Sequence, residues 1–112
     1  MNSDLSTSID YHDKITPIIF LEIPAAKVVL FQAFFELYEG LGLVRTLDMR
    51  KNLICVITMD SQLAECCNAL DAIKPQINWK PASIPSLEEK EKYLGFFKNA
   101  RKNLETIVNK DI

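Results

Sequence analysis

The sequence predicts an α+β domain built on one antiparallel sheet, with helices packed against it. Two observations lead to this class. Strand-like and helix-like hydrophobic patterns alternate along the chain, in the order strand, helix, strand, strand, helix, strand, helix. In addition, only five residues separate the second and third predicted strands, and so short a connection indicates an antiparallel hairpin.

Length and composition are those of one small domain. The chain has 112 residues, 48% of them hydrophobic and 25% charged, which suffices for a core without disulfides or metal. We divide it into three segments. Residues 1–14 are polar and lack an apolar period, which predicts a mobile N-terminal tail. Residues 15–84 form the α+β domain, and residues 85–112 form an amphipathic C-terminal helix.

The first strand is predicted over Ile15–Ile23, which is rich in β-branched residues, and Pro24 ends it. A helix follows over Ala25–Leu41, because glycines come directly after its periodic pattern. Its apolar face is predicted to comprise Leu30, Phe31, Phe34, Leu37 and Tyr38.

The hairpin strands are predicted over Leu43–Leu47 and Leu53–Met59. The second helix is predicted to begin at Gln62 and to end near Ile73, because proline follows two residues later. A short last strand over Ile77–Ala82 is interrupted by a proline, so we expect it at an edge of the sheet.

The last helix has the clearest start signal. Ser86 and Glu89 stand at capping-box spacing, and the helical pattern continues to about Asn109. Its apolar seam is too hydrophobic to face water, so it packs either on the domain's own sheet or on a second chain, and we favour a homodimer. The seam consists of Tyr93, Phe97, Ala100, Leu104 and Ile107.

Two βαβ units joined by a hairpin make a ferredoxin-like (split βαβ) sandwich with two helices on one face. The run FELYEGLGLVRTLD, residues 35–48, resembles a family of short bacterial proteins, domain of unknown function 4911, over about residues 15–75. More distantly, the topology is similar to ACT and other ferredoxin-like regulatory domains. That similarity implies a sensor of amino acids or nucleotides, with a ligand turn at Glu22, Pro24 and Lys27.

Few residues suit catalysis or metal binding. The net charge is −2, which does not favour nucleic acid or an anionic membrane. His12 and Asp13 fall in the expected tail, where no fixed catalytic geometry is available. Cys66 and Cys67 are adjacent and point about 100° apart on a helix, so with Cys55 they are expected to be buried thiols. We predict no catalytic residue, cofactor or metal.

The expected function is therefore a non-enzymatic regulatory or protein-interaction module, with the small-molecule sensor as the alternative. Trp79 is either a core residue or an exposed anchor for a partner. Together with Tyr93, Phe97, Leu104 and Ile107 it makes up the candidate partner interface. An odd number of cysteines and the lack of a signal-like start or an apolar span predict a cytoplasmic protein without a membrane segment.

Overall fold

Five strands form one antiparallel sheet in the computed structural model, which describes residues 3–37 and 40–93. The strand order is β1-β2-β4-β3, and β5 pairs with β2 as well. The strands are β1 (Ile9–Asp13), β2 (Thr16–Glu22), β3 (Leu43–Asp48), β4 (Leu53–Ile57) and β5 (Lys80–Pro81). The hairpin of β3 and β4 agrees with the prediction. The predicted last strand, Ile77–Ala82, is present only as the two residues of β5, and its first residue belongs to a helix.

Strand β2 is the centre of this sheet. One of its edges pairs with β4, where Phe20 lies opposite Cys55. The other edge is shared, since β1 pairs with its first half and β5 pairs with Leu21 and Glu22. The connection from β2 to β3 crosses over β4, which lies between these two strands in the sheet. The connection from β4 to β5 crosses over β2 in the same way. This order is compatible with the predicted ferredoxin-like fold.

Three α-helices are present among the described residues. They are α1 (Val28–Glu36), α2 (Leu63–Ile77) and α3, which begins at residue 87 and is described as far as residue 93. No helix in residues 3–37 or 40–93 has the length and apolar character needed to cross a membrane.

The helix boundaries differ from the prediction. Ala25–Lys27, expected to begin the first helix, form a 3₁₀ turn before it. Helix α1 ends at Glu36, five residues before Leu41. Helix α2 continues through Pro75 to Ile77, because Ile73 and Ile77 are both buried in the core and hold the last turn. It ends at Asn78, which adopts the left-handed conformation (φ 62°) and donates its N–H to the carbonyl of Lys74 at 2.7 Å.

The N-terminal residues expected to form a tail are part of the fold. Ser3–Ser8 form a 3₁₀ helix and the next five residues form β1. Leu5 is buried in the core, and the Ser8 hydroxyl donates to the carbonyl of Ala82 at 2.6 Å. The polar composition of this segment did not predict a strand, because strands pair through their backbone groups. The free edge of β2 can therefore pair with any extended segment.

Both faces of the sheet are buried. On one face, Ile19 and Leu21 of β2 and Val56 of β4 pack with buried side chains from both α1 and α2. On the opposite face, alternate residues of the same strands form a second cluster with Ala82 and Tyr93. The central strands are therefore apolar throughout, as strands covered on both sides are.

The predicted capping box at the start of α3 is confirmed. The N–H of Ser86 donates to the Glu89 carboxylate at 3.2 Å, and the N–H of Glu89 donates to the Ser86 hydroxyl at 3.3 Å. These two bonds satisfy backbone donors that have no partner within the helix. They fix the point at which the chain turns toward the second face of the sheet.

Candidate functional site

An open cleft of about 480 Å³ lies where β2 ends, between the β3–β4 turn and the start of α3. Its size is within the range of small-molecule sites. The charged residues that line it are Glu22, Lys51 and Glu89, and the other lining residues are Leu53, Ala82, Ser83, Ile84 and Pro85. Three separate parts of the chain therefore meet at this cleft.

The charges of the cleft are partly paired. Lys51 Nζ lies 3.3 Å from a carboxylate oxygen of Glu89, which joins the β3–β4 turn to α3. The pKa of Glu89 is lowered, first by the backbone N–H of Ser86 and then by Lys51, so this group is ionised at neutral pH. Glu22 lies opposite Lys80 in the neighbouring strand.

The chemistry of these groups suits the binding of a small charged molecule. The cleft has one ammonium and two carboxylate groups beside the buried residues Leu53, Ala82 and Pro85. Such an arrangement can hold a ligand that carries both an amino and an acidic group. The lining residues among those described include neither a histidine nor a cysteine.

The predicted ligand turn is only partly at this cleft. Glu22 lines it, whereas Pro24 and Lys27 are exposed at the start of α1 and are not among its described lining residues. Sequence reasoning missed Lys51 as a site residue and identified Glu89 only as a helix cap. The capping-box spacing of Ser86 and Glu89 was the one sequence signal for a site residue here. A carboxylate that caps a helix is held in a fixed position and can therefore also serve as a charged group of a site.

Trp79, considered as a partner anchor, lies in the core instead. Its side chain is fully buried, its indole N–H donates to the carbonyl of Leu70 at 2.8 Å, and Lys74 Nζ lies 4.5 Å from the ring centroid. Tyr93 is buried against the second face of the sheet. The other predicted interface residues, Phe97, Leu104 and Ile107, lie outside the described residues.

The family of this chain is established by sequence comparison. Domain of unknown function 4911 (DUF4911) matches residues 21–77. The chain belongs to this family. A search of curated proteins and a search of solved structures each found no match. The DUF4911 region runs from the end of β2 to the end of α2, and therefore includes Glu22 and Lys51 but not Glu89.

A second, smaller groove of about 280 Å³ lies between β1 and α3 of the DUF4911 protein. Lys90 of α3 and Asp10 of β1 form an ion pair at 2.5 Å beside it. Tyr11 donates its hydroxyl to the carboxylate of Asp60 at 2.5 Å, which raises its pKa. His12 also lines this groove, on a strand and not in a tail. These contacts tie β1 to the rest of the domain.

All three cysteines are free and buried, as predicted. Burial raises the pKa of Cys55 to about 12, and it raises the pKa of Cys66 and of Cys67 as well. A thiol in that state holds very little thiolate at neutral pH. Within residues 3–37 and 40–93, no cluster of three or more potential metal-ligating side chains is present.

An exposed apolar surface on α1 was not predicted. Leu30 and Leu37 were assigned to the core face, but they are 50% and 81% exposed, and Val29 is 77% exposed. Phe31 and Phe35 point inward instead. The error has a physical cause, since α1 is apolar around most of its circumference and periodicity cannot select its inner side. We name Val29, Leu30 and Ala33 of α1, with Leu37 at its C-cap, the α1 stripe.

Proposed function

We propose that this DUF4911 protein is a non-enzymatic, cytoplasmic module with a ferredoxin-like fold that acts through contacts with protein. The α1 stripe carries this proposal. Val29 and Leu37 are each more than three quarters exposed and lie on one side of a single helix. A contiguous apolar patch of a few hundred Å² on a soluble protein is often functional.

The chemistry of the described residues also favours a binding role. The three thiols are held in their neutral form by burial, so they are poor nucleophiles. His12 lies on an edge strand between Tyr11 and Asp13. In the larger cleft, Lys51 and Glu89 are engaged in an ion pair, and Glu89 also caps α3. An ion pair and a helix cap of this kind hold segments of the chain in place, which suits a binding role.

The experiment uses two variants with the same charge change. Leu37→Glu places a carboxylate in the α1 stripe, and Met49→Glu places one at an equally exposed apolar residue, both side chains being 81% exposed. Tagged chains are expressed in the source cell and their bound proteins are compared. We expect Leu37→Glu, but not Met49→Glu, to lose proteins that the unaltered chain retains. Identical sets from all three chains would contradict the proposal.

A second candidate function, a small-molecule sensor, is supported by the larger cleft. Glu22 and the Lys51–Glu89 pair surround an apolar floor in a volume suited to an amino acid or a nucleotide. Ligand at 100 times its Kd stabilises a folded protein by about 2.7 kcal/mol. A thermal-shift screen of amino acids and nucleotides should then give a specific rise in Tm.

The sensor hypothesis is checked with matched lysine variants. Lys51→Met removes the ammonium of the cleft, whereas Lys92→Met removes an exposed charge on α3 that does not line it. A ligand of the cleft should lose its effect only with Lys51→Met. A shift that both variants keep would place the ligand elsewhere and contradict the hypothesis.

A further inference from the structure

We propose that the α1 stripe is a self-association surface, on which α1 of a second copy packs antiparallel and crosses at Ala33. This inference rests on the proposed function, since it requires the stripe to be a protein contact surface. It names the partner as another molecule of this chain.

The residues of the stripe form one continuous ridge. Val29, Ala33 and Leu37 follow each other at intervals of four residues, and Leu30 lies beside them. All four are exposed, and none carries a charge or a side-chain hydrogen-bonding group. A partner must therefore present an uncharged apolar surface of similar length.

A second copy meets this requirement through the order of side-chain sizes along the ridge. A small residue stands at the centre, with a large one four positions away on each side. In an antiparallel pair about Ala33, Val29 packs against Leu37 of the partner subunit, and the two alanines allow the backbones to approach closely. Ridges with this spacing interdigitate when helices cross at about −50°.

Charge at the helix ends favours the antiparallel direction. Lys27 precedes α1 and Glu36 is its last residue. The antiparallel arrangement places Lys27 near the carboxyl end of the partner's helix and Glu36 near its amino end, where the helix dipole stabilises each charge. A parallel arrangement would bring like charges together at both ends.

The size of the surface sets the strength of the association. The exposed parts of Val29, Leu30 and Leu37 offer roughly 200–300 Å² of apolar surface per copy. A pair of stripes then buries less than the ~1,200 Å² at the lower end of stable, specific interfaces. The dimer should accordingly be weak and reversible, so that its population depends on protein concentration.

Sedimentation velocity of the full chain from about 5 μM to 1 mM tests self-association. The weight-average mass should rise with concentration from 12.8 kDa toward twice that value. Leu37→Glu should weaken the association at least tenfold, whereas Met49→Glu, which adds the same charge at an equally exposed residue, should leave it unchanged. Far-ultraviolet circular dichroism checks that both variants remain folded.

Disulfide trapping tests the crossing point. Ala33→Cys should form a symmetrical intermolecular disulfide under mild oxidation, because its two copies face each other at the crossing and a disulfide needs Cα atoms within about 7 Å. Asn68→Cys, an exposed position on α2, should form it at least tenfold more slowly. The native cysteines are buried and do not compete.

Three outcomes would overturn the inference. A mass that stays at the monomer value up to 1 mM excludes self-association; if Leu37→Glu still loses bound proteins in cells, the stripe binds a different partner and the proposed function stands. Association that Leu37→Glu leaves intact places the dimer contact elsewhere. Equal trapping of Ala33→Cys and Asn68→Cys rejects the antiparallel crossing.

Discussion

Helices α1 and α2 pack into the same core cluster, yet their outer sides differ. Helix α2 is amphipathic: Cys66, Leu70 and Ile73 point inward, while Glu65 and Asn68 face water. Helix α1 buries Phe31 and Phe35 but also exposes Val29 and Leu37. The large apolar residues of α2 are therefore buried or half-buried by folding, whereas Val29, Leu30 and Leu37 are exposed. This excess of exposed apolar side chains is the observation on which the contact role proposed for α1 rests.

The largest expected effect concerns the reactivity of thiols on the two helices. Cys66 and Cys67 lie on the inner side of α2, and Cys55 has a pKa raised to about 12 by burial. At pH 8 in native buffer Cys55 should react with iodoacetamide about a thousandfold more slowly than a cysteine introduced at Ala33 on the outer side of α1, and Cys66 and Cys67 should also react more slowly than it. Mass spectrometry of quenched samples measures the rates.

If the native thiols react as fast as the introduced one, the inner side of α2 is readily exposed to solvent. The two helices would then not differ in the accessibility of these positions in solution. Unfolding in urea provides the control, because all cysteines should then react at comparable rates.

The two sides of α1 should differ strongly in their contribution to stability. Phe31→Ala removes a fully buried ring from the core and should lower the free energy of unfolding by about 3–5 kcal/mol. Leu37→Ala, on the outer side, should change it by less than about 0.5 kcal/mol. Urea titration followed by circular dichroism measures both. A large loss with Leu37→Ala would mean that the stripe contributes to the fold of the single chain.

A smaller effect is expected at the start of α3, where stability comes from a cap and not from an apolar face. Ser86→Ala removes the hydroxyl that accepts the N–H of Glu89, and should cost about 0.5–2 kcal/mol. Ser83→Ala, three residues earlier and outside the cap, is the control. Equal stability of both variants and the unaltered chain would show that the capping box does not hold α3.

The smallest effect is the pH dependence of the same cap. The folded-state pKa of Glu89 lies below its ordinary value of 4.5, because the carboxylate accepts the N–H of Ser86 and pairs with Lys51. The contribution of ionised Glu89 to the free energy of unfolding is thus complete above pH 4.5. It is lost as the pH falls through the lowered folded-state pKa. The urea midpoint of the unaltered chain should fall more between pH 6 and pH 3 than that of Glu89→Gln. Glu88→Gln, at an exposed position next to the cap, is the control for the loss of one carboxylate.

Local signals in the sequence predicted most of the fold. The capping box of Ser86 and Glu89, the β3–β4 hairpin and the burial of the cysteines all depend on residues close in sequence or on strong burial preferences, and all agree with the structure. Strand β1 was missed, because its pairing with β2 depends on which edge of the sheet is free. That property belongs to the topology and not to the segment itself.

The site was harder to predict for the same reason. Glu22 was identified as a candidate, but Lys51 and Glu89 reach it from segments 29 and 67 residues further along the chain (51 − 22 and 89 − 22). Nothing in a local pattern marks such a meeting point. The α1 stripe was misassigned because an all-round apolar helix carries no information about which side is buried, whereas the mixed composition of α2 does.

The shared edge of β2 has a consequence for the order in which the domain is completed. Strand β1 is joined to β2 by the two residues between Asp13 and Thr16, so this hairpin closes a very short loop. Strand β5 reaches the other half of the edge only after some sixty further residues have been synthesised, and the Ser8–Ala82 bond then joins positions 74 residues apart. In the completed sheet β1 covers the half of this edge that β5 does not reach, and the two short strands together leave little of β2 open to pairing with another chain.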